Sequence, residues 1–346
     1  MAWSKRVIET VTQEKLQSLL NPEPGEERFA RYLRARARLV EDILPEIKVS
    51  LPSHTDHGER HVSRVMDNAA NLIGLENANA EVGLSGLELH CLILAVLFHD
   101  VGNVFGREEH QRKVAGAYDY VFAGAERDVA ERRIVLAVTG AHCGDARDGS
   151  KNTLREIMGP FQLERHQVRV REIAAVLRLA DELEEGPERT SLFMQKYHKY
   201  PAESKLFHHY ARIIDPCIDR GNMRIALTYS INIDTGAKKR LTRVAERKLK
   251  ELLEYTYRRI SKLNQERKYN KFYCEGFLSP FQETTVTFEF LVDNLPFAFD
   301  FPPSVVLNDL VVPGEDVEKE FTYYNPSFKI ENVIQTIRRK LKGSAA

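Results

Sequence analysis

The chain is poor in cysteine. Cys91, Cys143, Cys217 and Cys274 are scattered through 346 residues and no two form a CxxC pair. That spacing argues against a disulfide framework or a thiolate zinc site, and it suits a reducing compartment. Net charge is missing too: 50 Lys and Arg balance 50 Asp and Glu, so the molecule as a whole has no pull towards nucleic acid or a membrane surface. The longest apolar run, Cys91–Phe98, falls far short of the roughly 20 residues that span a bilayer. The opening stretch MAWSKRVIETVTQEK has no apolar core of a secretory signal. No internal repeat and no low-complexity tract occurs. A GxxxxGK[ST] phosphate loop and a GxSxG elbow are both lacking, so ATP-driven chemistry and serine hydrolysis have no support. These absences leave a soluble cytoplasmic protein as the expectation.

What is present divides into two textures. Residues 1–200 read as nearly all helix. EERFARYLRARARLVEDIL carries apolar residues at helical spacing, and Pro45 and Pro52 punctuate the chain after it. A helix is expected from about Gly58 to Ile73, with Val62, Val65, Ala69 and Leu72 along one side. The next, Leu87 to Phe98, is apolar almost all round and is expected to be the central buried helix. Further helices are expected at 111–122, 126–142 and 168–184. After Pro201, MRIALTYSINID and TVTFEFLVD alternate with period two, as half-buried strands do. A long amphipathic helix at roughly 239–266 lies between them, and ENVIQTIRRKLK can close the chain as a last helix. The expectation is a mainly α protein: a helical domain over 1–200, then a smaller α+β domain of unassigned role over 201–346.

The buried helix ends in FHDVGN. Its apolar run stops on His99 and Asp100, and Gly102 reads as the helix stop. An HD pair by itself is weak, because a histidine satisfied by a backbone carbonyl is common in cores. The positions of the other His and Asp residues give it weight. His61 lies just ahead of the apolar stripe of the preceding helix, His110 at the start of the following one, and His142 ends RRIVLAVTGAH. Asp181 interrupts IAAVLRLADELE, where a buried carboxylate is costly without a cation or donor. Converging His and Asp side chains in a helical bundle are what divalent metals need. Four imidazoles and two carboxylates are too many for one tetrahedral zinc. They suit two ions a few ångströms apart, with Asp100 able to bridge through its two oxygens. Such a pair makes hydroxide near neutrality and stabilises charge developing on a phosphate.

In the order H…HD…H…H…D, through HVSRV, FHDVGN, EEHQRKVAGA, TGAHCGD and LRLADEL, the sequence resembles the HD-domain metal-dependent phosphohydrolases over roughly residues 53–195. Nothing in 201–346 carries a resemblance. The resemblance implies an HD-type helical bundle, with His61, His99, Asp100 and Asp181 holding a first divalent metal and His110 and His142, bridged by Asp100, a second. Mn, Fe, Mg, Zn, Ni and Co all fit these residue types. Many binuclear members carry a second histidine directly after the position of His142. Here Cys143 stands there, either a small buried residue or a ligand for a softer metal. The implied activity is hydrolysis of a phosphomonoester or phosphodiester in a nucleotide, cyclic nucleotide or oligonucleotide.

Beyond the ligands, Arg64 lies one turn from His61 and can offer its fork to a phosphate, or simply form an ion pair. His57, four residues before His61, is expected on the same helix face, to orient a ligand, bind substrate or serve the leaving oxygen. Asn103 can cap the turn after Gly102. Asp100, His57 and Arg64 are thus the residues closest to the chemistry. Lys238–Lys271 holds thirteen Lys and Arg against four Glu. It reads as the solvated face of an amphipathic helix, whose apolar side is Leu241, Val244, Leu252, Tyr255, Ile260 and Leu263, or else as a stripe that tracks nucleic-acid phosphates. The alternatives to a phosphohydrolase are a non-catalytic nucleotide-binding or regulatory HD module, a nuclease guided by that helix, and two-iron oxygen chemistry. Exposed strand edges suggest a homodimer.

Overall fold

Helix follows helix from the start of the chain: α1 (Val7–Leu20), α2 (Pro22–Arg38), α3 (Leu44–Ser50), α4 (Glu59–Ile73), α5 (Gly86–Phe98), α6 (Val114–Val121), α7 (Val129–Ala141) and α8 (Val170–Glu182). This computed structural model describes residues 3–75, 83–123, 128–197, 200–236, 240–309 and 320–343. All thirteen residues of α5 are buried, as a helix apolar on every side requires. It starts on a reciprocal cap: the Ser85 hydroxyl accepts from the Glu88 amide at 3.2 Å, and the Glu88 carboxylate accepts from the Ser85 amide at 2.8 Å. Helices α1, α4, α7 and α8 pack around it. A β-carbon on Gly86 would lie 2.5 Å from the backbone of Lys15, so glycine lets α1 and α5 approach closely. The stretch Gly86–Phe105 is apolar enough to resemble a membrane span by composition, and it lies almost wholly inside this core.

The expected stripe of α4 is in place, with Val62, Val65, Ala69 and Leu72 buried and left-handed Gly74 ending the helix. Three local expectations are corrected. Helix α5 ends at Phe98 as expected, but Gly102 is not what stops it and lies instead in a short 3₁₀ turn, Val101–Phe105. The helix expected at 111–122 begins at Val114, after a 3₁₀ turn, His110–Arg112. The third is a hairpin within the helical part, β1 (Phe161–Leu163) and β2 (His166–Val168). Its turn residues Glu164 and Arg165 have φ of 50° and 65°. The usual Gly or Asn is absent there, so no turn signal marked it. Of the helix expected at 126–142, residues 126 and 127 lie outside the described residues.

The chain divides into two units, Met1–Glu184 with Tyr269–Ser279, and Glu185–Lys268 with Pro280–Ala346. Tyr269 belongs to the first: its hydroxyl accepts from the Leu154 amide at 3.0 Å, and the Arg178 guanidinium lies 4.7 Å from its ring centre. The second unit is α+β. Strand β3 (Ile214–Asp219) pairs antiparallel with β4 (Arg224–Ile233), and β4 pairs parallel with β5 (Glu283–Val292). Two short strands, β6 (Leu295–Pro296) and β7 (Ser304–Asn308), pair antiparallel with β5. Ile225, Leu227, Tyr229, Ile231 and Ile233 are all buried, as the alternation predicts. The expected long helix is Arg243–Tyr273, and a terminal helix runs over Ile330–Gly343.

The long helix spends its basic residues unevenly. Arg267 is buried, donating to Asp309 at 2.6 Å and to the Phe281 carbonyl at 2.7 Å. Arg259 pairs with Glu185, whereas Arg243, Arg247, Lys248, Lys250 and Arg258 are exposed. Of the expected apolar side, Leu252, Ile260 and Leu263 are buried, but Val244 is exposed. Lys238 and Lys239 lie outside the described residues.

Candidate metal centre

The site lies within the first unit, where four elements end. His61 sits in the first turn of α4, His99 and Asp100 directly follow α5, His142 follows α7, and Asp181 is in the last turn of α8. His110 opens its own 3₁₀ turn. His61, His99, Asp100, His110 and His142 are buried, and Asp181 is partly exposed.

One local device aims three of the imidazoles. Carbonyls at a helix end lack an amide partner. The Nδ1 of His99 meets the Val96 carbonyl at 2.8 Å and that of His142 the Thr139 carbonyl at 2.6 Å, both in the last turn of a helix, while that of His110 makes the same reach back to the loop carbonyl of Arg107 at 3.1 Å. Each bond spans three residues. With Nδ1–H donating, Nε2 carries the lone pair and faces inward. His61 stands at a helix start, where no preceding turn exists. Its Nδ1 bonds instead to the Glu184 carboxylate at 2.6 Å, and Arg64 Nε donates to the same carboxylate at 3.1 Å.

Two groups of donor atoms result. In the first, His61 Nε2 lies 3.2 Å from His99 Nε2, 3.4 Å from Asp100 Oδ2 and 3.3 Å from Asp181 Oδ1. His99 Nε2 is 3.5 Å from each of the same two oxygens. The second contains His110, His142 and Cys143, with Cys143 Sγ 3.5 Å from His110 Nε2. Asp100 Oδ1 faces that group, 3.0 Å from His110 Nε2 and 3.8 Å from His142 Nε2.

These separations suit a shared cation. Two N or O donors about 2.0–2.1 Å from one ion at the tetrahedral angle are about 3.3 Å apart, which is the spacing in the first group. Without a positive charge, imidazole lone pairs and carboxylate oxygens would confront one another in a buried site. Burial alone would raise the Asp100 carboxyl, but His99 and His57, with hydrogen bonds from His110 and His142, hold it well below the usual range. Burial likewise opposes ionisation of Asp181, and the hydrogen bonds from His61 and His99 outweigh it. For His142 burial lowers the imidazole, yet Cys143 and Asp100 push it up to about 9. A metal bound here takes the place of any proton on these donors, so its affinity rises with pH.

Gly102 makes the tight return possible. A β-carbon there would lie 1.9 Å from the His110 carbonyl oxygen, so the chain after Asp100 packs directly on the backbone that carries His110. Glycine at this position serves close approach rather than the helix stop expected of it. His57 precedes α4 and its Gly58 cap, so it is not on the helix face expected for it. Its Nδ1 nonetheless reaches Asp100 Oδ2 at 2.9 Å. Asn103 is fully buried, and its Oδ1 accepts from Arg107 at 3.2 Å.

Two functional candidates escaped the sequence reading. Glu184 stands three residues after Asp181 and carries the only available signal, a spacing that returns to the same helix face. Arg107, in GREEH, has its guanidinium 3.8 Å from Asp100 Oδ1 and a half-exposed side chain. It looked like one of many surface charges.

Buried His and Asp side chains at the ends of packed helices, able to hold metal ions, define an HD-type domain. The family model HD-CE matches residues 51–262, more than half of the chain. The protein belongs to the HD-CE family. The match runs beyond the resemblance noted at 53–195 and takes in β3, β4 and part of the long helix. No curated protein and no solved structure matches the chain.

Proposed function

We propose that the protein is a divalent-metal-dependent phosphohydrolase acting on a phosphomonoester or phosphodiester of nucleotide type. The observation that carries this reading is the placement of Asp100. Its Oδ2 lies among the donors of the first group and its Oδ1 among those of the second. One carboxylate with an oxygen in each of two donor groups is suited to bridge two ions. A pair of bound divalent ions supplies a water of lowered pKa and offsets the negative charge of the phosphoester.

The chain's own groups do the remaining work. His61, His99 and Asp181 complete the first site with Asp100, and His110 and His142 the second. His57 Nδ1 exchanges a proton with, or donates to, Asp100 Oδ2. Its side chain is one-tenth exposed, which lets it meet a substrate oxygen at the edge of the site. Arg107 is the cation at the open side, with a planar fork suited to phosphate oxygens. Arg64, engaged with Glu184, acts through the orientation of His61.

Elemental analysis of protein purified without chelator is the test, with His99→Ala and Asp100→Ala beside the wild type. About two equivalents of a divalent metal in the wild type, lost in both variants, followed by turnover in a phosphoester panel, is the expected result. Folded protein that binds no Mn²⁺, Mg²⁺ or Zn²⁺ would sink the proposal. Loaded protein that binds nucleotides without turnover would assign it to a regulatory module. Iron with oxygen consumption and no phosphoester turnover would point to oxygen chemistry.

A further inference from the structure

We propose that Cys143 is a metal ligand, which makes the second site a mixed sulfur–nitrogen–oxygen centre selective for a thiophilic ion such as Zn²⁺, Co²⁺ or Fe²⁺ over Mg²⁺. The inference rests on the metal-dependent reading above and adds the chemical class of the second ion.

Four observations converge on this residue. Cys143 Sγ lies 3.5 Å from His110 Nε2. A sulfur about 2.3 Å and an imidazole nitrogen about 2.0–2.1 Å from one tetrahedral ion are about 3.5 Å apart, so the observed edge is that of two ligands of one metal. Secondly, the sulfur closes a group whose other members already face inward, the Nε2 atoms of His110 and His142 and Oδ1 of Asp100. Thirdly, the backbone is built to present it. Helix α7 gives way at His142, and Gly144 follows with φ of +82°. A β-carbon on Gly144 would meet the buried Gln111 side chain at 2.2 Å, so this turn is packed against the same 3₁₀ segment that carries His110. Finally, Cys143 differs in setting from Cys91 and Cys274, which are buried. It is partly exposed, at the edge of the donor group.

The first group offers only imidazole nitrogen and carboxylate oxygen, donors that admit harder ions such as Mn²⁺ as well as Fe²⁺ and Zn²⁺. Sulfur in the second group narrows that range, because thiolate favours Zn²⁺, Co²⁺ and Fe²⁺ and gives little to Mg²⁺. The two sites therefore differ in metal preference, and loss of the sulfur removes the difference.

The test is titration of metal-free protein with Co²⁺, followed by absorption. Wild type and Cys217→Ser, which changes an exposed cysteine, are expected to develop a near-ultraviolet sulfur-to-cobalt charge-transfer band. Cys143→Ser is expected to lose that band, to keep the visible bands from nitrogen and oxygen donors, and to prefer Zn²⁺ over Mg²⁺ at least about tenfold less. X-ray absorption on the zinc-loaded wild type needs no variant and should show a sulfur neighbour at about 2.3 Å. Two equivalents of Co²⁺ bound with no sulfur band and no sulfur neighbour would overturn the ligand assignment and leave the phosphohydrolase reading intact. No Co²⁺ bound at all would overturn both.

Discussion

At the scale of single residues, the site depends on where each histidine stands along its helix. A histidine at a helix end finds an orphaned carbonyl three residues back and is oriented at no cost to other groups. His61, at a helix start, depends on a carboxylate from a distant segment, Glu184, which is itself buried. Glu184→Gln is expected to lower the affinity of the first site about 10- to 100-fold, the usual penalty for removing the partner of a metal-binding imidazole. Isothermal titration with Zn²⁺ measures it, and an unchanged affinity would show that packing alone orients His61. His99, Asp100, His142 and Asp181 were readable because each interrupts an apolar stretch or ends one, and His61 and His110 because they stand at the starts of the helices on either side of the HD pair. Glu184 and Arg107 were not, since each is one charge among several in ELEE and GREEH.

Elements meet through a buried ionic cluster on the side of α5 away from its HD end. Glu131 of α7 accepts from Arg28 and Arg31 of α2, from Tyr118 of α6 at 2.7 Å, and bonds to His90 of α5 at 2.9 Å. Burial by itself would raise the Glu131 carboxyl, but the His90 hydrogen bond and charge, then Arg31 and Tyr118, hold it well below its ordinary value. A depressed carboxyl contributes stability above its unfolded value of 4.5 and loses it as pH falls further. Urea unfolding of wild type should therefore weaken steeply under acid conditions, with a shallower slope in Glu131→Gln. At neutral pH that variant is expected to be about 3–5 kcal/mol less stable, since it removes the buried carboxylate shared by Arg31, His90 and Tyr118, while Arg28 keeps Asp128 and Glu164. Equal slopes in the two proteins would assign the acid sensitivity elsewhere. The helices were legible from periodicity, but this cluster was not: His90 and Arg31 sit on stretches that look respectively like core and like surface.

For the whole molecule, the donor groups leave the metal-free state with a local penalty that metal removes. Anything that binds only the folded chain raises its stability, by about 2.7 kcal/mol at a hundredfold excess over Kd. Divalent metal is thus expected to raise Tm of the wild type, chelator to reverse the rise, and Asp100→Ala to abolish it. Differential scanning fluorimetry reads all three, and a rise that persists in Asp100→Ala would place the stabilising ion at another site.

The order of helices, the buried α5, the alternating strands and the identities of the six inward-facing ligand candidates come from sequence alone, because burial and period are properties of neighbouring residues. Tertiary structure decided the rest. It brought residues 269–279 to the first unit, put Glu184 behind His61, and gave Asp100 one oxygen in each donor group. It also set Cys143 beside His110. Each of these pairs residues far apart in the chain, and local pattern carries no information about which distant side chain a packed helix will meet.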